Sequence, residues 1–184
     1  MPIARDITVP NVITILRIIL APIFVIYLIH EQVTSALVVF ILAGISDGLD
    51  GLIARAFNQK SEMGAYLDPL ADKLLLISAY VALAAKGFMP AWLTVIVISR
   101  DVLILLGVLI LFLVKSGFTV KPLFLSKITT CFQIASVIVV LTMGQFFFSQ
   151  LIYKYLYWAT GIVTILSGLQ YIRQWLGLMD EEGL

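Results

Sequence analysis

Asp47, Asp50, Asp68 and Asp72 fall within twenty-six residues of a chain that is otherwise strongly apolar. An acidic side chain near the centre of a bilayer costs roughly 2.5–3.5 kcal/mol on insertion scales, so four of them require compensating cations and a shared task. Asp47 and Asp50 are three residues apart, and Asp68 and Asp72 are four apart. On two helices each pair projects from one face, and the two faces can converge into an all-oxygen site. Hard divalent ions such as Mg²⁺ and Mn²⁺ take carboxylate oxygens and accept phosphate as a co-ligand. Two such ions, roughly 4 Å apart, would neutralise a pyrophosphate and stabilise both the attacking and the leaving oxygen of an in-line displacement.

The residues around the aspartates fit that chemistry. Gly51 and Gly64 let a nucleotide or a second helix approach the backbone closely, and Ala54 keeps the same surface shallow. Arg55 offers a planar pair of donors suited to phosphate. Taken singly, each residue has a plainer reading: Asp47 or Asp50 as the cap of a helix end, Gly64 as a turn glycine, Asp68 before Pro69 as a helix start. Lys73, beside Asp72, reads as an internal partner for an acidic group.

The elements that must position these residues are membrane helices. The chain of 184 residues is 61% hydrophobic and 12% charged, about half the charged share of a soluble domain, with mean hydropathy +1.08. It divides into apolar stretches long enough to cross roughly 30 Å of hydrocarbon at 1.5 Å per residue. Six spans are expected, near 12–29, 33–53, 65–85, 90–114, 123–143 and 151–172, forming an all-α polytopic membrane protein read as one domain, 1–184. The first span is too long for a secretion signal, lacks a small-x-small cleavage pattern and is expected to stay.

Six spans put both termini on one side. That side collects Arg5, Arg55, Lys60, Lys115, Lys121, Lys127 and Arg173, against Lys86 and Lys154 opposite, so both termini are expected in the cytoplasm and the polar site faces it. Arg17, Lys73 and Arg100 fall inside spans and are site candidates. The single cysteine, Cys131, excludes an internal disulfide, and a net charge of +1 argues against a nucleic-acid partner. His30, the only histidine, lies at the far interface.

Read in full, Asp47-Gly-Leu-Asp50-Gly51-Leu-Ile-Ala54-Arg55, eight residues, then Gly64-Ala-Tyr-Leu-Asp68-Pro-Leu-Ala-Asp72 resembles, without departure, the signature D-x-x-D-G-x-x-A-R-x8-G-x3-D-x3-D of the CDP-alcohol phosphotransferase family. These are membrane enzymes that join a CDP-activated alcohol to a second alcohol. The resemblance implies two ions, Mg²⁺ or Mn²⁺, held by Asp47, Asp50 and Asp68. Asp72 would touch a metal and also take the proton from the acceptor hydroxyl. Gly51, Ala54, Arg55 and Gly64 would line the CDP pocket, and the protein would be a homodimer.

Two further stretches narrow the branch. Pro10-Asn11-Val-Ile-Thr14-Ile-Leu-Arg17 sets Asn11, Thr14 and Arg17 on one helical face, with Asn11 also suited to an N-cap. The N-x-x-T-x-x-R opening followed by Pro22 is similar to that of the phosphatidylglycerophosphate and cardiolipin synthase branch. There Asn11 and Thr14 would contact the CDP-lipid and Arg17 the acceptor. Ser99-Arg100-Asp101 places an ion pair in apolar sequence, its plain reading being a pair that joins helices, and Lys127, Thr129, Thr130 and Gln133 open the fifth span with polar groups.

Bacterial phosphatidylglycerophosphate synthases show R-E-I, a second arginine, then G-K-x-K-T-x-x-Q. Here Asp101 follows Arg100, no later arginine stands in the span, Ser126 replaces the glycine and Thr129 the second lysine. The stretch looks more like the CDP-diacylglycerol-dependent cardiolipin synthases, with S-R-D and then K-P-x-x-x-S-K-x-N-T-x-x-Q, although Thr129 replaces the asparagine. The expected reaction therefore moves a phosphatidyl group from CDP-diacylglycerol to an alcohol with release of CMP. Phosphatidylglycerol is the favoured acceptor and glycerol 3-phosphate the alternative, bound by Arg17, Arg100, Lys127, Thr130 and Gln133 in a bacterial inner membrane. The reading from another class, a cation transporter or channel, explains intramembrane carboxylates but neither Arg55 nor the spaced glycines, and no second half repeats the Asp47–Asp72 pattern. The last span shows only an aromatic belt of Trp158, Tyr171 and Trp175.

Overall fold

A computed structural model of the chain describes the backbone of residues 9–56, 62–114, 124–143 and 150–180, and the side chains of 12–46, 71–107, 124–143 and 150–177. Six helices and no strand occur among the described residues: α1 (Val9–Ile29), α2 (Val33–Ala56), α3 (Glu62–Ala85), α4 (Ala91–Val114), α5 (Phe124–Leu141) and α6 (Gln150–Asp180). They match the six expected apolar stretches, except that α6 runs past 172 to Asp180. Two windows, Val12–Ile29 and Phe124–Leu141, are long and apolar enough among the described residues to cross a bilayer.

The chain forms two compact units, Met1–Phe88 and Met89–Leu184. In the first, α1 packs against both α2 and α3. The buried face of α1 is Thr14, Arg17, Ala21, Phe24 and Leu28, a three-and-four spacing that makes one stripe. Phe24 meets Phe40 of α2 with ring centroids 5.7 Å apart, a tilted aromatic pair. Ala36 and Ala43 on α2, with Ala71 and Ala79 on α3, are wholly buried, small residues of the kind that let helix backbones approach.

Both ends of this unit's far side close by the same device. After α1, Glu31 N–H bonds Leu28 O and Gln32 N–H bonds Tyr27 O; after α3, Gly87 N–H bonds Ala84 O and Phe88 N–H bonds Leu83 O. Each is a Schellman cap with a left-handed residue, Glu31 at φ 61° and Gly87 at φ 73°. Glycine adopts that conformation freely; glutamate does so at a cost. Lys86 Nζ answers at the α1 end, donating to Ile29 O at 3.0 Å and lying 3.8 Å from the Glu31 carboxylate.

In the second unit α6 is the shared element, packed against α4 and α5. Its buried positions Tyr153, Tyr157, Thr160, Thr164, Ser167 and Tyr171 again follow one helical stripe. Outside these stripes the helices carry Ile15, Leu16, Ile19, Val38, Leu42, Val95, Leu105, Ile162 and Leu169, all well exposed. Helix exteriors this apolar suit hydrocarbon rather than water.

Candidate active site

The first unit brings together two of the sequence candidates. The register of α1 turns Arg17 inward one turn before Ala21, leaving it only 1% exposed, and its Nη1 donates to Asp72 Oδ1 of α3 at 2.5 Å. A buried guanidinium requires an anion, and this carboxylate supplies it through a charge-assisted hydrogen bond. The Asp72 side chain is 43% exposed, so the pair is sunk on the arginine side and open on the carboxylate side. Thr14, one turn before Arg17, is fully buried. Lys73 is half-buried.

Asp47, Asp50, Gly51, Ala54 and Arg55 lie on the backbone of α2, and Gly64 and Asp68 on that of α3; their side chains, like that of Asn11, are outside the described residues. Even so, the backbone corrects several plain readings. Asp47 and Asp50 cap no helix end, because α2 continues to Ala56. Asp68 before Pro69 starts no helix, and Gly64 is no turn glycine, because α3 begins at Glu62. Asn11 is not an N-cap, since α1 begins at Val9. The three- and four-residue spacings of the aspartates are therefore spacings along helices. No group of three or more His, Cys, Asp or Glu side chains gathers among the described residues, a set that includes Asp72 alone of the four aspartates.

The second unit builds a different polar centre. Arg100 on α4 is 5% exposed and Asp101 1%. Nη1 of Arg100 donates to Asp101 Oδ1 at 2.8 Å, while Nη2 donates to Ser126 Oγ of α5 at 2.6 Å and to Ser167 Oγ of α6 at 2.9 Å. The guanidinium lies 5.8 Å from the centroid of Tyr171, within cation–π range. The pair is between neighbours on α4, and through Ser126 and Ser167 its arginine links α4 to α5 and α6, as the plain reading of a helix-joining pair expects.

From that centre a seam of small polar groups continues between α5 and α6. Thr129 Oγ1 donates to Leu125 O and Val163 O, Gln133 Nε2 to Thr164 Oγ1 at 3.4 Å, and the Ser136 and Thr160 hydroxyls share a bond of 2.7 Å. Thr130 bonds back to Ser126 O, and Lys127 is exposed. Sequence reasoning missed Ser126 and Ser167 as partners and assigned α6 only an aromatic belt. Tyr171 instead is buried beneath Arg100, and Trp175 packs where a Cβ on Gly107 of α4 would sit. The signal available was the three-and-four spacing of Thr160, Thr164 and Ser167.

A family model described as CDP-alcohol phosphatidyltransferase matches residues 7–166, from the first unit into the second. The chain belongs to the CDP-alcohol phosphatidyltransferase family. It is 37% identical over 184 residues to a human CMP-forming cardiolipin synthase, covering 89% of this chain and 60% of that protein. A Streptomyces coelicolor CMP-forming cardiolipin synthase is 36% identical over 113 residues, covering 58% of this chain and 53% of the relative. An Aquifex aeolicus CDP-diacylglycerol–glycerol-3-phosphate 3-phosphatidyltransferase is 33% identical over 126 residues, covering 67% of this chain and 70% of the relative. The chain thus spans 60% or less of each of these two cardiolipin synthases. Residues 47–72, which resemble the family's signature pattern, lie wholly inside the matched region.

Proposed function

We propose that the chain is an integral membrane phosphatidyltransferase. The acceptor's primary hydroxyl attacks the phosphorus that carries diacylglycerol in CDP-diacylglycerol, a new P–O ester bond forms, the pyrophosphate P–O bond breaks and CMP leaves. The observation that carries this reading is a buried Arg17 directed at Asp72, the last aspartate of the signature, within the family match. A general base must reach its proton before anything else matters. Asp72 is open on its carboxylate side, and Arg17 fixes the orientation of Oδ1, which suits a base that takes the hydroxyl proton.

Asp47, Asp50, Asp68 and Asp72 offer hard oxygen donors and neither sulfur nor imidazole, a set that fits Mg²⁺ or Mn²⁺. Two such ions would supply neutralisation of the pyrophosphate charge. Arg55 would add paired donors to the same phosphates, while Gly51, Ala54 and Gly64 leave room for the nucleotide, and Asn11 and Thr14 complete the lipid side. Six helices with apolar exteriors support six spans, the lysine and arginine excess on the side of the termini supports cytoplasmic termini, and the family resemblance supports a single functional domain, a bacterial inner membrane and a homodimer.

For the acceptor, phosphatidylglycerol fits best. Arg100 is already balanced by Asp101, and Thr129 stands where a second lysine would be needed for a dianion. The remaining exposed cation, Lys127, matches one phosphodiester charge, with Arg17, Arg100, Thr130 and Gln133 around the acceptor. The second reading, glycerol 3-phosphate, is favoured by the Aquifex aeolicus relative, whose name states that acceptor. The deciding experiment incubates purified protein with CDP-diacylglycerol and Mn²⁺ or Mg²⁺, offers each acceptor in turn and identifies the lipid product by mass. Cardiolipin with CMP is the expected outcome; absence of any acceptor-dependent CMP release defeats the proposal.

A further inference from the structure

We infer that Ser126 and Ser167 act together as a clasp that sets acceptor charge preference by occupying the phosphate-gripping edge of Arg100. The inference rests on the acceptor reading proposed above and deepens it. An arginine grips a phosphate dianion through two parallel N–H donors, either at the guanidinium end, Nη1 with Nη2, or along its side, Nε with Nη2. Both forks need a hydrogen on Nη2. In this protein Nη2 donates to Ser126 Oγ at 2.6 Å and to Ser167 Oγ at 2.9 Å, so both of its hydrogens are committed, and Nη1 donates to Asp101.

Two hydrogens remain, that of Nε, which is buried and has no hydrogen-bond partner among the described residues, and the second on Nη1; with Nη2 committed, these two belong to no common fork. A donor acting singly beside an internally neutralised charge suits one phosphodiester oxygen and not the two anionic oxygens of a phosphate monoester. The clasp is held from several sides: Ser126 and Ser167 sit on different helices, and the guanidinium lies over Tyr171. Ser126 and Ser167 are therefore positioning residues: they act on acceptor choice through Arg100.

The test measures kcat/KM for glycerol 3-phosphate and for phosphatidylglycerol in wild-type protein and in Ser126→Ala, Ser167→Ala and Ser126→Thr variants, with products identified by mass. Each alanine variant frees one Nη2 hydrogen and should raise the ratio of glycerol 3-phosphate to phosphatidylglycerol use roughly tenfold, mainly through a lower KM for glycerol 3-phosphate. Ser126→Thr keeps the hydroxyl and should keep the wild-type ratio. A merely loosened fold would lower both activities together and leave the ratio where it was. If Ser126→Ala yields no folded protein, Ser167→Ala decides alone, from another helix. Wild-type protein that makes cardiolipin, with folded alanine variants at the wild-type ratio, overturns the clasp and leaves the proposed function standing. Wild-type protein that makes no cardiolipin overturns the acceptor reading itself, and the clasp falls with it.

Discussion

Among the described residues Arg17 and Asp72 bring two candidate site residues into direct contact, and the asymmetry of that contact has consequences. Removing a buried guanidinium leaves a hole and takes one orienting donor from Asp72, whereas changing Asp72 removes an anion from beside a buried charge. Asp72→Asn should suppress turnover on the order of a thousandfold, the scale of losing a positioned general base. It should retain much of the CDP-diacylglycerol binding that Asp47→Asn loses; turnover and binding measured separately on both variants check the division of roles. Near-normal turnover in Asp72→Asn would remove it as the base. The two partners should also be coupled. If Arg17 works by orienting Asp72, then Arg17→Ala and Asp72→Ala combined should cost far less than the product of the single losses. Fully multiplicative losses in kcat would separate Arg17 from the base.

At the scale of helices, the close approach of α4 and α6 depends on Gly107, whose absent side chain is replaced by the ring of Trp175. Gly107→Ala should destabilise by about 1–3 kcal/mol, the usual cost of overpacking, and lower the thermal midpoint in detergent. Trp175→Leu should relieve most of that loss; an undiminished loss in the double variant would show that the clash lies elsewhere. The helices themselves were legible in the sequence because each apolar run is long enough to be nothing else, and α1 and α4 end where the expected spans end. Helix ends near the aspartates were less legible. Asp, Asn, Gly and Pro signal caps and turns locally, yet at Asn11, Asp68 and Pro69 the flanking apolar sequence carries the helix through. The α6 half of the polar seam, Thr160, Thr164 and Ser167, was hidden for another reason. Small hydroxyls bond back to their own helix, as Thr164 does to Thr160 O, so they barely disturb hydropathy while linking neighbouring helices. Of the site, the signature positions were readable as a pattern. The engagement of Arg100 was not, because its partners come from three helices.

Across the whole molecule, helix exteriors rich in exposed Ile, Leu and Val support the membrane reading, and a four-carboxylate set supports dependence on a divalent ion. Thorough chelation should abolish CMP release, and Mg²⁺ or Mn²⁺ should restore it; full activity after chelation would eliminate the metal site. Orientation provides the remaining test, because the site must meet a water-soluble nucleotide on one side only. Seven cations on the side of the termini against Lys86 and Lys154 opposite make cytoplasmic termini the expected orientation. Cys131 is the single cysteine and is exposed, so a Cys131→Ser background gives a clean starting point. In that background His30→Cys and Lys154→Cys, both at exposed positions, should react with a membrane-impermeant maleimide on intact cells. Lys60→Cys and Arg173→Cys should react only after permeabilisation. The reverse pattern would invert the orientation and leave six spans intact. Labelling of His30→Cys and Lys60→Cys from the same side would instead deny that α2 crosses the bilayer, and with it the arrangement that brings α2 and α3 aspartates to one cytoplasmic site.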